Sequence, residues 1–312
     1  MRLLFMGTPG FAVPTLLRLL SSRHQVNGVF TQPDRPSGRG RKLAIGPVKQ
    51  VALHNGLPVY QPERLVGEEW KSLVETTADA LVVVAYGKIL PSWLFTLPSF
   101  GAINLHASLL PRYRGAAPIP WAIVRGETRT GVTTMRIDRG MDTGDVLLQK
   151  AVEIGEEETS LQLGDRLAVL GADLLAETLD RLEAGQVRAR PQDPRLASYA
   201  PLLKKSDGEI DWSRSSRQIF NRVRAFNPWP GAFTHRKRSR LRILKARPVT
   251  VPAQEQAAGS LWRWDSRRAL VACGEGWLEL LEVQPENHRP LAAADFLNGL
   301  RLQSGHSIPL GD

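Results

Sequence analysis

Two residues in the run INLHASLLPRYRG (103–115) are of types that do acyl-transfer chemistry: Asn104 and His106. They stand two apart at the end of an apolar stretch that reads as a β-strand, and a breaker follows at once. Positions i and i+2 of a strand face the same side, so an amide and an imidazole placed there converge on one point. Asn supplies a neutral N–H donor; His supplies a donor that strengthens when charged, near physiological pH. Two donors aimed at one point form an oxyanion hole. The segment Ser108-Leu109-Leu110-Pro111 then leaves the strand and could wall a pocket. The competing reading is a buried His satisfied by backbone, with Asn104 capping a turn.

Acid/base chemistry needs a further group, and the loop DRGMDTGD (138–145) offers Asp138, Asp142 and Asp145, punctuated by Gly140 and Gly144. Its spacing does not match an EF-hand. If Asp142 reaches His106 it holds the ring in a common acid/base arrangement; otherwise the loop is a solvated turn. Two basic stretches suit phosphate. The run 32–49 sets Arg35, Arg39, Arg41, Lys42 and Lys49 against one acid, Asp34, in a Gly-rich connection long for an α/β unit. In RKRSRLRI (236–243), Arg236, Lys237, Arg238, Arg240 and Arg242 alternate with smaller or apolar residues from Arg238 onward. That alternation predicts a strand with one basic face, suited to a nucleic-acid backbone. For both stretches the alternative is an ordinary solvated surface. The turn GTPG (7–10) resembles a dinucleotide fingerprint but lacks GxGxxG. Pro9 sits where a free N–H is needed, so the turn reads as structural.

These groups must be positioned by a fold that the rest of the chain specifies. Strand-like runs at 3–6, 26–31, 80–85 and 102–105 alternate with helical spacing such as 11–20. ALVVVA (80–85) is continuously apolar, as in a strand covered on both faces. This is the pattern of an α/β class with a mostly parallel sheet. Later strands at 131–137 and 146–154 flank the acidic loop, and leucines at helical spacing run through 159–182. The stretch 185–205, rich in Pro, Arg and Gln, reads as a linker. Beyond it, one helix near 213–225 and short strands at 241–245, 269–273 and 277–283 predict a small barrel.

The 312 residues, 42% hydrophobic and 23% charged, suit one large or two ordinary globular domains. A net charge of +10 favours a polyanionic partner, nucleic acid or an acidic membrane face. Cys273 is the sole cysteine, which excludes a disulfide within the chain and points to a reducing, cytoplasmic setting. There is no Cys/His cluster of zinc spacing and no run of about 20 apolar residues to span a membrane. The apolar part of the start, MRLLFMGTPGFAVP, is too short for a signal peptide.

Taken together, INLHASLLPRYRGAAP and DRGMDTGD resemble the formyltransferase family that uses 10-formyltetrahydrofolate. The resemblance implies a Rossmann-like catalytic domain over 1–184, a linker over 185–205 and an OB-like β-barrel domain over 206–312. It implies a catalytic set of Asn104, His106 and Asp142, with the folate beside Ser108, Leu109, Leu110 and Pro111. Three further stretches bring the likeness nearest to members whose acceptor is the α-amine of methionine on initiator tRNA. They are the FTQPDRP loop, VVVAYGKILP (82–91) and AFNPWPGAF (225–233). With that acceptor, Arg39, Arg41 and Lys42 are expected at the acceptor end, and Arg236, Lys237, Arg238, Arg240 and Arg242 along the backbone. No metal and no covalent enzyme intermediate are expected, since the amine is already a good nucleophile; a monomer is expected too. After GAAPI the family often has Gln where this chain has Pro120. The same chemistry on a purine-precursor ribonucleotide amine or an amino sugar, formyl hydrolysis within a dehydrogenase, and a non-catalytic RNA-binding protein are the alternatives. Cys273 and the histidines 24, 54, 235, 288 and 306 are assigned no role.

Overall fold

In chain order the first half of the molecule runs β1 (Arg2–Gly7), α1 (Val13–Leu20), β2 (Gln25–Phe30), β3 (Arg35–Ser37), β4 (Lys42–Ala44), α2 (Pro47–His54), β5 (Val59–Tyr60), α3 (Glu68–Thr77), β6 (Ala80–Val84), α4 (Ser92–Thr96), β7 (Ala102–His106), α5 (Pro118–Val124), β8 (Arg129–Arg136), β9 (Val146–Glu153) and α6 (Ser160–Glu183). The second half runs α7 (Ser216–Phe226), β10 (Ala232–Arg236), β11 (Ser239–Val249), β12 (Ser260–Arg263), β13 (Ala269–Ala272), β14 (Trp277–Pro285), β15 (Leu291–Ala292), α8 (Ala293–Gly299) and β16 (Ser307–Pro309). The computed structural model describes residues 1–37, 42–252 and 256–311. It divides into two units: Met1–Pro118 with Arg129–Glu153 and Gly164–Ala200, and Ile119–Thr128 with Ile154–Leu163 and Pro201–Asp312. Most of the stretch that reads as a linker therefore belongs to the first unit.

The first unit is built on a sheet of order β5-β2-β1-β6-β7-β8-β9. The strands β5, β2, β1, β6 and β7 are parallel; β8 runs antiparallel to β7, and β9 runs antiparallel to β8, in the direction of β7 again. The mostly parallel sheet expected from the α/β alternation is thus present. Every residue of β6 is buried, as its uninterrupted apolar run requires. Leu4, Met6, Leu81, Val83 and Ala102 share one face with Tyr86, Val74 of α3 and Leu94 of α4. Leu105, of opposite parity, packs on α6, where a Cβ at Gly171 would come within 2.6 Å of its side chain. Helix and strand approach closely there because the residue is glycine. By strand parity, Asn104 and His106 then share the face of Ala102, away from α6.

In the second unit the antiparallel sheet runs β10-β11-β14-β13-β12-β16, with β15 on β14. Inward Leu241, Ile243, Leu261, Val271, Leu278, Leu280 and Val283 join Ile219, Phe220 and Val223 of α7 in one core. Register shifts in β11 after Ile243 and Lys245 bend the sheet. Gly311 N–H donates to His235 O at 2.8 Å, drawing the chain beyond β16 onto β10. The result is a curled antiparallel half-barrel. Helix α7 starts a few residues later than the apolar spacing suggests. Ser215 caps it: its hydroxyl accepts from Gln218 N–H, and the Gln218 side chain accepts from Ser215 N–H. Among the described residues no helix is long and apolar enough to cross a membrane.

Candidate active site

Strand β7 ends on His106, whose ring is buried, with 6% of the residue exposed. Both ring nitrogens are engaged. Nε2 lies 2.9 Å from Tyr113 O, and Nδ1 lies 3.6 Å from Asp142 Oδ2. A carbonyl oxygen only accepts, so Nε2 carries a hydrogen and donates it. That leaves Nδ1 as the nitrogen that faces the carboxylate and any substrate. The amide of Asn104 is half-buried and makes no hydrogen bond among the described residues. The structure thus brings His106 and Asp142 together, with Asn104 two residues back on the same side of β7, and it leaves His106 one free-facing nitrogen where the sequence pattern suggests a freely aimed donor.

Asp142 reaches this point by an indirect path. β8 pairs antiparallel to β7, with Thr133 opposite His106 and Arg136 opposite Ile103. The loop after β8 therefore begins level with the start of β7 and must fold back along the sheet face. Three features make it do so. The Asp138 carboxylate accepts from Gly140 N–H at 3.0 Å and Thr143 Oγ1 at 2.7 Å, closing the first turn. Asp142 itself adopts a left-handed φ of +55°. A Cβ at Gly144 would strike the carbonyl of Arg136, so only glycine passes there. Of the three carboxylates, Asp138 braces the loop, Asp142 faces the imidazole, and the backbone carbonyl of Asp145 accepts from Arg136 N–H at 2.9 Å.

The remaining anchors are backbone atoms of the RYRG turn. Tyr113 O accepts from His106, and Gly115 N–H donates to Asp142 Oδ2 at 2.7 Å. One turn therefore orients both catalytic candidates. Tyr113 has φ +60°, a conformation that costs a non-glycine residue about 1–3 kcal/mol. The turn is in turn held from 185–205: Tyr113 N–H donates to Ser198 Oγ at 2.9 Å, and Arg114 N–H to Ser198 O at 2.8 Å. Residue types gave no sign of the Tyr113 carbonyl or the Gly115 amide, since every residue carries such groups.

The SLLP segment is fixed by polar contacts. Ser108, fully buried, donates to Arg112 O at 2.6 Å, and its own carbonyl accepts from Thr133 Oγ1 at 2.6 Å. Thr133 Oγ1 also accepts from Leu110 N–H, and Gln149 Nε2 donates to Leu110 O at 2.9 Å. Leu110 packs inward on Met135 and Val146, while Leu109 and Pro111 stay half-exposed. The GTPG turn meets the next crossover: Thr8 Oγ1 and Gln32 Nε2 both donate to Tyr86 O, at 3.3 and 3.0 Å. Burial pushes the Tyr86 phenol up to about 12.

The basic positions are scattered across the two units. Arg39 and Arg41 lie outside the described residues, as does the side chain of Lys42 on β4. Lys49 is paired: it donates to Asp34 and, at 2.7 Å, to Gln61; the bond from Lys49, with one from Gln61 Nε2 at 3.1 Å, holds the Asp34 carboxyl below its ordinary range. In the second unit Arg236 ends β10, and Lys237 and Arg238, with φ of +48° and +65°, form the hairpin tip to β11. Arg240 and Arg242 project opposite the buried Leu241 and Ile243. The Arg240 guanidinium lies over the Phe233 ring at 4.1 Å, and Arg242 donates to Pro228 O at 3.0 Å. No group of His, Cys, Asp and Glu fit to hold a metal ion occurs among the described residues. Cys273 is buried, and burial pushes its thiol up to about 12.

Comparison with known proteins bears on this geometry. A family model described as formyl transferase matches residues 1–179, and one described as formyl transferase, C-terminal domain, matches residues 202–301. The chain is 55% identical over 312 residues to the methionyl-tRNA formyltransferase of Solibacter usitatus, covering 100% of this chain and 99% of that protein. It is 50% identical over 311 residues to the methionyl-tRNA formyltransferase of Koribacter versatilis, covering 99% and 98%. Solved structures share the fold at low identity. The N-formyltransferase of Helicobacter canadensis, in complex with folinic acid and dTDP-3-aminofucose, has a TM-score of 0.67 at 18% identity over 91% of this chain and 99% of that one. HypX of Aquifex aeolicus, in complex with tetrahydrofolic acid, has a TM-score of 0.61 at 15% identity over 97% of this chain and 48% of that one, so this chain spans about half of HypX.

Proposed function

The chain belongs to the formyl transferase family, and on that premise we propose that it carries the formyl group of 10-formyltetrahydrofolate to the α-amine of methionine esterified to initiator tRNA. The product is N-formylmethionyl-tRNA. The observation that carries this reading is the meeting of the β7 imidazole with a carboxylate from a distant loop, beside an amide that has no hydrogen-bonding partner among the described residues.

The neutral amine attacks the formyl carbon, and negative charge gathers on the formyl oxygen. Asn104 donates an N–H to that oxygen. His106, its Nε2 committed to Tyr113 O, donates through Nδ1 when its ring is charged. Asp142 Oδ2, 3.6 Å from Nδ1, balances the charge on the ring. Loss of one such oxyanion donor typically costs about 100-fold or more in turnover. The attacking nitrogen must shed a proton as its new C–N bond forms. Asp142 takes that proton, directly or through water, and returns it to the departing N10 as the old C–N bond breaks. Leu109 and Pro111, the half-exposed members of SLLP, face the folate; Ser108 and Leu110 set the shape of the segment from within.

The tRNA half of the reaction accounts for the net charge of +10. The basic stretch 32–49, with Arg39, Arg41 and Lys42, meets the acceptor end. Arg236, Lys237, Arg238, Arg240 and Arg242 follow the phosphate backbone, each contact releasing counterions. The enzyme acts in the cytoplasm as a monomer. The test is a comparison of acceptors: charged initiator tRNA, a nucleotide-linked amino sugar and a purine-precursor ribonucleotide amine, each with 10-formyltetrahydrofolate. Transfer to the tRNA at kcat/KM far above the others is expected; faster transfer to either small amine would overturn the assignment.

A further inference from the structure

The stretch 185–205 has the composition of a linker, yet one of its side chains divides its hydrogen bonds between the loop that carries Asp142 and the RYRG turn. Gln192 Oε1 accepts from Arg114 Nε at 3.1 Å and Nη2 at 2.7 Å. Gln192 Nε2 donates to Asp142 O at 2.9 Å and to Gly144 O at 2.7 Å. Because a guanidinium only donates and a carbonyl only accepts, the amide fits in this orientation alone. Arg114 is 5% exposed, and among the described residues its guanidinium has no carboxylate partner. The backbone on either side of Gln192 is pinned as well. Arg190 and Val146 exchange both backbone hydrogen bonds at 2.9 Å, and Ala200 N–H donates to Arg114 O at 2.7 Å.

From this geometry we propose that Gln192 is a positioning residue for Asp142, and that the position requires an amide. The inference rests on the role given above to Asp142. Gln192 grips the backbone at Asp142 and again two residues on, across the left-handed turn that aims the carboxylate at His106. Arg114, on the turn that holds both catalytic side chains, fixes the other end of the amide. Neither residue touches substrate; both act through Asp142.

An isosteric carboxylate separates this role from simple stabilisation. In Gln192→Glu the side chain gains an ion pair with Arg114 but sets a carboxylate oxygen against two carbonyl oxygens. Folding is retained while the loop is pushed off its register. An error of about 1 Å at a reacting group costs about 100-fold in rate. Gln192→Glu, Gln192→Met and Asp142→Asn should be compared with wild type for kcat, for KM of folate and tRNA, and for melting temperature. The expected result is a kcat lowered about 100-fold in Gln192→Glu, with both KM values held within about threefold and the melting temperature at or above wild type. A kcat within about threefold of wild type overturns the proposal, as does a kcat loss that merely follows lost stability in both variants at 192. Should Gln192→Glu fail to fold, Gln192→Met decides by the same split between kcat and KM. If Asp142→Asn retains wild-type turnover, the reading of the active site fails; if Asp142→Asn is slow and the 192 variants are not, this inference alone fails.

Discussion

Asp142→Asn isolates what the carboxylate contributes. An Asn carbonyl oxygen placed where Asp142 Oδ2 now stands still accepts from Gly115 N–H at 2.7 Å, and Asn is well tolerated at φ +55°. The loop therefore keeps its path, and what disappears is a negative charge 3.6 Å from His106 Nδ1 together with a proton acceptor. At that distance two unit charges interact by about 5 kcal/mol at an effective dielectric of 20 and about 1 kcal/mol at 80. The pair is mostly but not fully enclosed, with 7% of the imidazole and 18% of the carboxylate side chain exposed. An intermediate value of about 3 kcal/mol corresponds to roughly a 100-fold loss. The loss belongs in kcat, because the charge on His106 matters most once the formyl oxygen becomes anionic. The assay is steady-state formyl transfer to charged initiator tRNA at saturating folate, with a thermal melt to verify the fold. A variant that keeps its melting temperature and turns over within about threefold of wild type would refute the assignment of Asp142.

Two further outcomes follow from other parts of the structure. Burial moves the Cys273 thiol from 9.0 to about 12, which lowers the thiolate fraction near pH 8 about a thousandfold, and thiolate is the reactive form. A disulfide-exchange reagent should therefore label the native protein far more slowly than the denatured chain at that pH; equal rates would contradict the burial. Arg238 holds φ +65° at the tip of the β10–β11 hairpin, where glycine has no steric cost. Arg238→Gly should stabilise the fold by about 1 kcal/mol while weakening tRNA binding, with the slope of log affinity against log salt reduced by about one. A melting shift with no change in that slope would remove Arg238 from the phosphate contacts.

The parts of the site that were legible in the sequence are those set by local rules. Strand parity alone places Asn104 and His106 on one side, and β7 does extend to His106. The buried run of β6 and the alternation of Leu241 and Ile243 with arginines could be read from hydrophobic period. Residue types and spacing offer Asp142 as one of three acids, and the family resemblance is what singles it out. The choice among them depends on Asp138 being occupied by Gly140 and Thr143, and on where the antiparallel β8 delivers its loop. Gln192 lies in a stretch without hydrophobic period, whose capping pair Asp193-Pro194 starts only a single short turn. Such irregular backbone takes its conformation from its partners, here Val146, Arg114 and the catalytic loop itself.

The direction of β8 is the reason that so much of this region is braced. Had β8 run parallel to β7, a loop at its end would emerge beside His106 and a carboxylate could reach the ring directly. Running antiparallel, β8 ends opposite Ile103, and the chain must turn back over the face of the sheet. That reversal places a non-glycine residue at φ +55°, a state that persists only where its surroundings over-determine it. Aspartate suits the position twice over. Its short side chain tolerates the left-handed region better than most residues do, and it brings the charge the imidazole needs within reach of both Gly115 N–H and Nδ1. Glutamate would carry the same charge one methylene further, on a residue that resists that backbone state. The identity of residue 142 thus answers jointly to a turn and to the acid/base function proposed for it, and the clamps around it keep the two requirements compatible.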